Sequence, residues 1–355
     1  MSEKKPAIRI GDRLVGGGAP PFIIAEIAQA HDGSLGMAHS YIDAVAAAGC
    51  DAIKFQTHIA DAESTLDEPF RVKFSKQDET RYAYWCRMEF TAEQWAGLAQ
   101  HCRDKSLLFL SSAFSEAAVK LLVALEMPAW KVGSGEFGSF GMIEAMADTG
   151  CPILYSTGMS RLAETSKAVD WFRARKIDFA LFQCTSQYPT PLEKVGLNVI
   201  DAYRAFDCPV GLSDHSGTIY PAIAAMARGV DIVEVHAVFD RTMFGPDAVV
   251  SLTPTELADL TKARDAFVVM DGNPVDKDAV ADELSGMRSM FAKSLAPVRD
   301  LPKGTVLTGD MLTVKKPATG LPPNKIDTVI GRCLVTDVPA NRLLSEEHLA
   351  DEDKA

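Results

Sequence analysis

Two histidines mark where this sequence can do chemistry. His215 lies at the end of the run PVGLSDHS and His236 lies in DIVEVHAVFD, each where an apolar strand would continue with Val or Ile. Strand propensity explains neither. One helical pattern separates the two runs, so they read as neighbouring parallel strands whose imidazoles emerge at the same edge of a sheet. Such a pair suits a divalent ion such as Mn2+, with carboxylates and waters completing the shell. A structural Zn2+ would bring four protein ligands including Cys, and the sequence holds no such cluster. An open shell points to Lewis-acid chemistry on a carbonyl or on bound water.

Lys54 and Lys131 interrupt the otherwise apolar runs AIKFQT and AWKVGSGE. A buried ammonium needs an anion. With Ser112, Ser134, Ser156, Ser186 and Ser213 as hydroxyl donors, a ligand carrying phosphate and carboxylate would satisfy both charges. Two other readings stay open: a Schiff-base lysine, which the histidine pair disfavours, and a buried Lys–Glu pair using Glu26 or Glu136. Glu26, Glu136, Gln187, Asp247 and the turn His31–Gly33 would line the rest of a polar mouth suited to a polyol or sugar. Glu26 or His31 could act there as acid or base.

The elements that must position these groups are eight short β-rich runs alternating with amphipathic stretches: residues 22–29, 52–57, 107–114, 129–136, 152–159, 179–186, 209–216 and 231–240. The alternation implies a parallel sheet with crossover helices, and eight units imply an α/β fold closed as a (β/α)8 TIM barrel. The polar residues then lie at the C-terminal strand ends, where barrels carry their sites. Period-two alternation puts Lys54 with Gln56, and Ser213 with His215, on shared faces. The barrel spans residues 1–272, and residues 273–290 read as a charged, weakly structured linker. Residues 291–355 form a small β-rich second domain with short strands between turn signals. The connection 58–90 is oversized, so it is either a lid or a segment whose Tyr82, Tyr84 and Trp85 pack on the barrel rim.

A formal charge of -12 and the lack of a long basic block exclude nucleic acid as a partner. Seven scattered cysteines, odd in number and without a CxxC, read as reduced thiols of a cytoplasmic protein. Every hydrophobic run is interrupted long before bilayer length, and the first residues lack a secretory core, so no membrane association is expected.

The segments IIAEIAQAHDGS, AIKFQT, SSAF, WKVGSGE, ILYSTGM, QCTSQYPTP, VGLSDHSG, EVHAVFD, GPD and TVKKPATG, in this order, resemble the sialic acid synthase family, a barrel followed by an antifreeze-like (SAF) domain. The resemblance covers nearly the whole chain. It implies condensation of phosphoenolpyruvate with an N-acetylmannosamine-like sugar to a nine-carbon 2-keto acid and phosphate. It also implies that His215 and His236 hold Mn2+ or Mg2+, and that Lys54, Lys131, Ser112, Ser134, Ser156 and Ser213 hold phosphoenolpyruvate. Glu26, Gln56, Glu136, Gln187, Tyr188 and Asp247 would face the sugar. It further implies a domain-swapped homodimer in which an arginine of the second domain contacts the sugar. Here the family's RPGTG reads KPATG, so Lys316 stands at that arginine and cannot offer its planar fork. NHNG reads AHDG and SNYPT reads SQYPT, so the departures gather on the sugar side. The reaction type is therefore better specified than the sugar, which could be acetamido, diacetamido, unacetylated or phosphorylated. Competing classes are the synthases of shorter keto acids, which normally lack the second domain, and a binding protein built on the same barrel. An ice-binding tail is disfavoured by its charges at Lys303, Asp310, Lys315, Lys316, Lys325 and Arg332.

Overall fold

The structure is a computed structural model that describes residues 5–350. It begins with an antiparallel hairpin, β1 (Ala7–Ile10) and β2 (Arg13–Gly16). Eight parallel strands follow: β3 (Phe22–Ala28), β4 (Ala52–Thr57), β5 (Leu108–Ala113), β6 (Trp130–Val132), β7 (Ile153–Ser156), β8 (Phe179–Cys184), β9 (Val210–Asp214) and β10 (Ile232–His236). They pair in chain order, and β10 returns to β3, which closes the barrel. The fold class is the one the alternating pattern predicts. The expected runs overshoot at their C-terminal ends, as in 129–136, where Ser134–Glu136 leave β6 to form a 3-10 turn.

Alternation along each strand sorts side chains into two cores. Ile23, Ala25, Ile53, Phe55, Val233 and Val235 point outward and pack under the helices. Their neighbours Phe22, Ile24, Ala52, Leu110, Leu154 and Ile232 point inward and form a separate cluster inside the barrel. Ile8, Ile10 and Val15 of the hairpin belong to that inner cluster. The hairpin, which the sequence pattern did not reveal, therefore plugs one end of the barrel with apolar side chains. Two residues further along each strand the inward positions turn polar, and they form the opposite half of the barrel interior.

The connection 58–90 is not a bare loop. It contains helices Ala60–Glu63 and Arg81–Met88, the second capped by Thr80, whose hydroxyl accepts from the Ala83 N–H. Tyr84, Trp85, Met88 and Ala60 form a small core of their own, with Phe70, Phe74 and Tyr82 against it. The segment is thus a folded insertion with apolar content enough to hold its shape.

The chain divides at Gly272 into two compact units. In the second, β11 (Ser294–Pro297) pairs antiparallel with β12 (Leu312–Lys315) over a core that includes Leu295, Leu301, Leu307, Leu334 and Leu344. The stretch 273–290, expected to be weakly structured, holds helix Lys277–Glu283 and most of helix Ser285–Phe291. The first begins at Asp276, which caps it through the N–H groups of Asp278 and Ala279, a signal hidden among the other charges. All seven cysteines are free. No helix among the described residues is long and apolar enough to cross a membrane.

Candidate active site

The polar half of the barrel interior is built by register. Strand pairing sets His236 beside Glu26, Glu26 beside Lys54, Gln56 beside Ser112, and Ser112 beside Lys131. Glu234 lies beside Ser213 in the same way. Because all of these positions share the inward face, they meet around one axis. Gly211 permits this closure on β9, since a Cβ there would sit 2.8 Å from the Phe182 ring.

Charges close on themselves in this layer. Lys54 Nζ lies 2.8 Å from Glu26 Oε1 and 3.5 Å from Glu234 Oε2. Lys131 Nζ lies 3.4 Å from Glu234 Oε1, which also accepts from the Ser213 hydroxyl at 2.6 Å. Lys54 donates to Ser112 and Lys131 to Ser156. All four charged side chains are buried. Burial alone would lower the Lys54 ammonium, but Glu234 and Glu26 raise it above its ordinary value. Burial would raise the Glu26 carboxyl, but Lys54 and His236 hold it well below the carboxylate range. Lys131 is lowered, because burial and the Lys54 charge outweigh Glu234. The buried Lys–Glu alternative is thus realised, with Glu26 as one of two carboxylates.

The other carboxylate, Glu234, escaped the sequence reading. Its signal was there: it stands two residues before His236 in an apolar run, so alternation alone puts both on one face.

His215 and His236 come together as expected from their runs, with ring centroids 5.1 Å apart. His215 Nδ1 donates to the Thr185 carbonyl at 3.2 Å, which leaves Nε2 as the acceptor for the Tyr188 hydroxyl at 2.9 Å. Burial and the neighbouring His236 push the His215 imidazole down to about 3, so it is neutral. His236 Nε2 lies 3.3 Å from Glu26 Oε2. A neutral imidazole oriented by a backbone carbonyl is the form that binds metal, so the donor chemistry fits a divalent ion. Among the described residues no group of three or more His, Cys, Asp or Glu encloses such a site. An ion held here would keep positions open for water or substrate.

Above the layer lies a cavity of about 350 Å3. Gln56, Glu136, Tyr188, His236 and Asp247 line its inner part, and the insertion supplies His58, Arg71, Tyr84 and Trp85. A bulge after Glu26, with Ala28 at φ 44°, breaks the alternation of β3 and lets Gln29 join them. Tyr84 and Trp85 therefore both pack on their own segment and line the cavity. Ser134 sits on the turn after β6, where its hydroxyl accepts from the Gly158 N–H at 3.0 Å. A Cβ on Gly158 would lie 2.5 Å from Ser186 Oγ and 2.7 Å from Ser134 Oγ, so glycine keeps this group of hydroxyls open.

Two expected residues lie outside this cavity. Gln187 is exposed and its Oε1 accepts from Lys194, because the chain has already turned outward after Thr185. His31 is buried away from the cavity; its Nδ1 accepts from the Gly33 N–H and its ring lies against Phe90, so it is no acid or base for this site. Lys316 belongs to the second unit, exposed, with its ammonium 5.0 Å from the Phe291 ring centroid.

Comparison with known proteins agrees with this architecture. The chain is 33% identical to human N-acetylneuraminate-9-phosphate synthase over 96% of each chain. It is 30% identical to the N,N'-diacetyllegionaminic acid synthase of Campylobacter jejuni, over 91% of this chain and 98% of that one. The crystal structure of an N-acetylneuraminic acid (sialic acid) synthetase from Leptospira borgpetersenii superposes with a TM-score of 0.70 at 28% identity, covering 82% of this chain and 99% of that one. The SAF-domain model matches residues 292–350, and the NeuB-family model matches residues 41–276. The chain belongs to the NeuB family.

Proposed function

We propose that this protein condenses phosphoenolpyruvate with an N-acetylmannosamine-like acetamido sugar, giving a nine-carbon 2-keto acid and phosphate. The observation that carries the reading is the buried layer of Lys54, Lys131 and the hydroxyls of Ser112, Ser156 and Ser213 beneath a cavity of about 350 Å3. Lys54 and Lys131, with Ser112, Ser134, Ser156 and Ser213, hold the phosphate and carboxylate of phosphoenolpyruvate by exchanging carboxylate partners for ligand oxygens. Glu26, Gln56, Glu136, Tyr188 and Asp247 face the open-chain sugar. A divalent ion, Mn2+ or Mg2+, held by His215 and His236 would supply Lewis-acid polarisation of the sugar's aldehyde.

The bond changes are those that the family resemblance implies. C3 of phosphoenolpyruvate attacks the aldehyde carbon, water adds to the cationic C2, and the tetrahedral adduct expels phosphate by C–O cleavage. Glu26, which Lys54 and His236 hold as a weakly basic carboxylate, orients the attacking water by accepting its hydrogen bond, and the water's proton ends on the alkoxide formed from the aldehyde. Gln56 donates to Glu26 Oε1 at 2.9 Å and fixes its orientation.

The test is phosphate release from phosphoenolpyruvate by metal-stripped protein, with Mn2+ restored, across acetamido, diacetamido, unacetylated and phosphorylated sugars. Release that requires both metal and one sugar is the expected result, and no release with any of them overturns the reading. The same resemblance carries a swapped homodimer with Lys316 beside the sugar, tested by solution mass and by the sugar preference of Lys316→Arg. A cytoplasmic location is the reading that seven free thiols favour.

A further inference from the structure

The outer end of the cavity is a second environment, made largely by the insertion. Phe70, Phe74, Tyr84 and Trp85 give it aromatic walls. His58 is wedged between Trp85 and Phe114, with ring centroids 3.8 and 4.3 Å away and the planes nearly parallel. Its Nδ1 lies 2.5 Å from Glu63, so the wall is fixed at both its faces and its edge.

Formal charge around the cavity as a whole is unbalanced. Glu63, Glu68, Glu136 and Asp247 line the cavity against two arginines, Arg71 and Arg81. Arg81 is already engaged, with Nε 3.0 Å from Glu68 and its guanidinium over the Trp85 ring. Arg71 is placed differently. Its guanidinium carbon lies 4.4 Å over the ring of Tyr188, the side chain whose hydroxyl meets His215. Its ion-pair partner Asp247 is 3.6 Å away, outside hydrogen-bonding range, and its side chain is 53% exposed. The N–H edges of Arg71 therefore remain able to donate into the cavity, while the surplus of carboxylates opposes a dianionic group there.

We propose that Arg71 selects the acceptor, and that the acceptor is an uncharged N-acylated sugar rather than a sugar phosphate. Arg71 donates to a hydroxyl oxygen at the end of the sugar remote from the aldehyde. The aromatic walls pack against the C–H groups of the sugar's remote end. The stack on Tyr188 holds the arginine at a set distance from the reacting carbon, so it reads the length of the acceptor. This inference rests on the synthase reading above.

The experiment compares one N-acylated hexosamine with its 6-phosphate ester, measuring phosphate release by the full-length protein with Mn2+ present. The unphosphorylated sugar is expected to have a kcat/KM about tenfold or more above its ester. Arg71→Ala should raise the acceptor KM about tenfold while the phosphoenolpyruvate KM stays within about twofold. Arg71→Lys should recover only part of this, because an ammonium neither stacks flat on Tyr188 nor forks between two oxygens. Asp247→Asn removes one opposing charge and should narrow the preference against the ester. Preference for the ester, or an unchanged acceptor KM in Arg71→Ala, would overturn the assignment while leaving the synthase reading standing. Wild-type protein that releases no phosphate with either sugar would overturn the assignment, and the synthase reading falls with it when the wider sugar panel also gives no release.

Discussion

The inward faces of the same eight strands solve the problem of burial in two ways. At the hairpin end, Ile8, Ile10, Val15, Phe22, Ile24 and Ile232 fill the barrel with groups that need no partner. One layer away Lys54, Lys131, Glu26 and Glu234 are as deeply buried, yet each depends on another. The difference shows that the barrel stores tolerance at one end and chemistry at the other. An apolar layer can lose a methyl group and settle, whereas a charged layer cannot lose one member without stranding the rest.

That contrast is broken most severely at Glu234. Replacing Glu234 with Leu leaves Lys131 without a carboxylate and should cost about 3–5 kcal/mol in urea unfolding, with turnover lost as well. The double swap Glu234→Leu with Lys131→Met should restore much of the stability and none of the turnover. If it restored neither, the pairing account of the layer would fail. At the other end, Ile10→Ala should cost about 2–4 kcal/mol of stability while kcat/KM stays within about twofold. A large fall in kcat/KM would show that the two halves are mechanically coupled.

A smaller effect is expected at Gly158. Gly158→Ala pushes a methyl group into the hydroxyls of Ser134 and Ser186 and should raise the KM for phosphoenolpyruvate about tenfold, with the melting temperature little changed. An effect that is absent at neutral pH concerns His31, buried outside both layers. Burial, then the charges of His58 and Arg87, lower it from 6.5 to about 3. Its folded value lies below the unfolded one, so the unfolded chain binds the proton first as the pH falls. Its stabilising contribution is complete above about pH 6.5 and is lost between there and about pH 3, at up to about 1.4 kcal/mol per pH unit. His31→Leu should remove about one proton from that slope in pH-dependent unfolding, and an unchanged slope would refute the assignment.

Much of this was legible in the sequence because alternation and register carry it. His215, His236, Lys54 and Lys131 stand out as polar residues in apolar runs, and strand adjacency then brings them together. Glu234 obeyed the same rule two residues from His236. Gln187 misled because its neighbour Tyr188 does reach the site, and only the turn of the chain after β8 separates their directions. The hairpin β1–β2 is four residues per strand and had no helix to announce it. Arg71 lay in a segment whose path depends on tertiary packing of Phe70, Phe74 and Tyr84, which no local pattern encodes.

The hairpin has one more consequence, for the order of events during synthesis. Ile8 and Ile10 share their cluster with Ile232, so the hairpin's seat is completed by a strand made more than two hundred residues later. Until β10 has emerged from the ribosome, those isoleucines have no finished seat. The nascent chain must carry an exposed apolar ribbon through most of its translation, which makes the amino-terminal segment a natural place for chaperone attention and slows the final closure of the barrel.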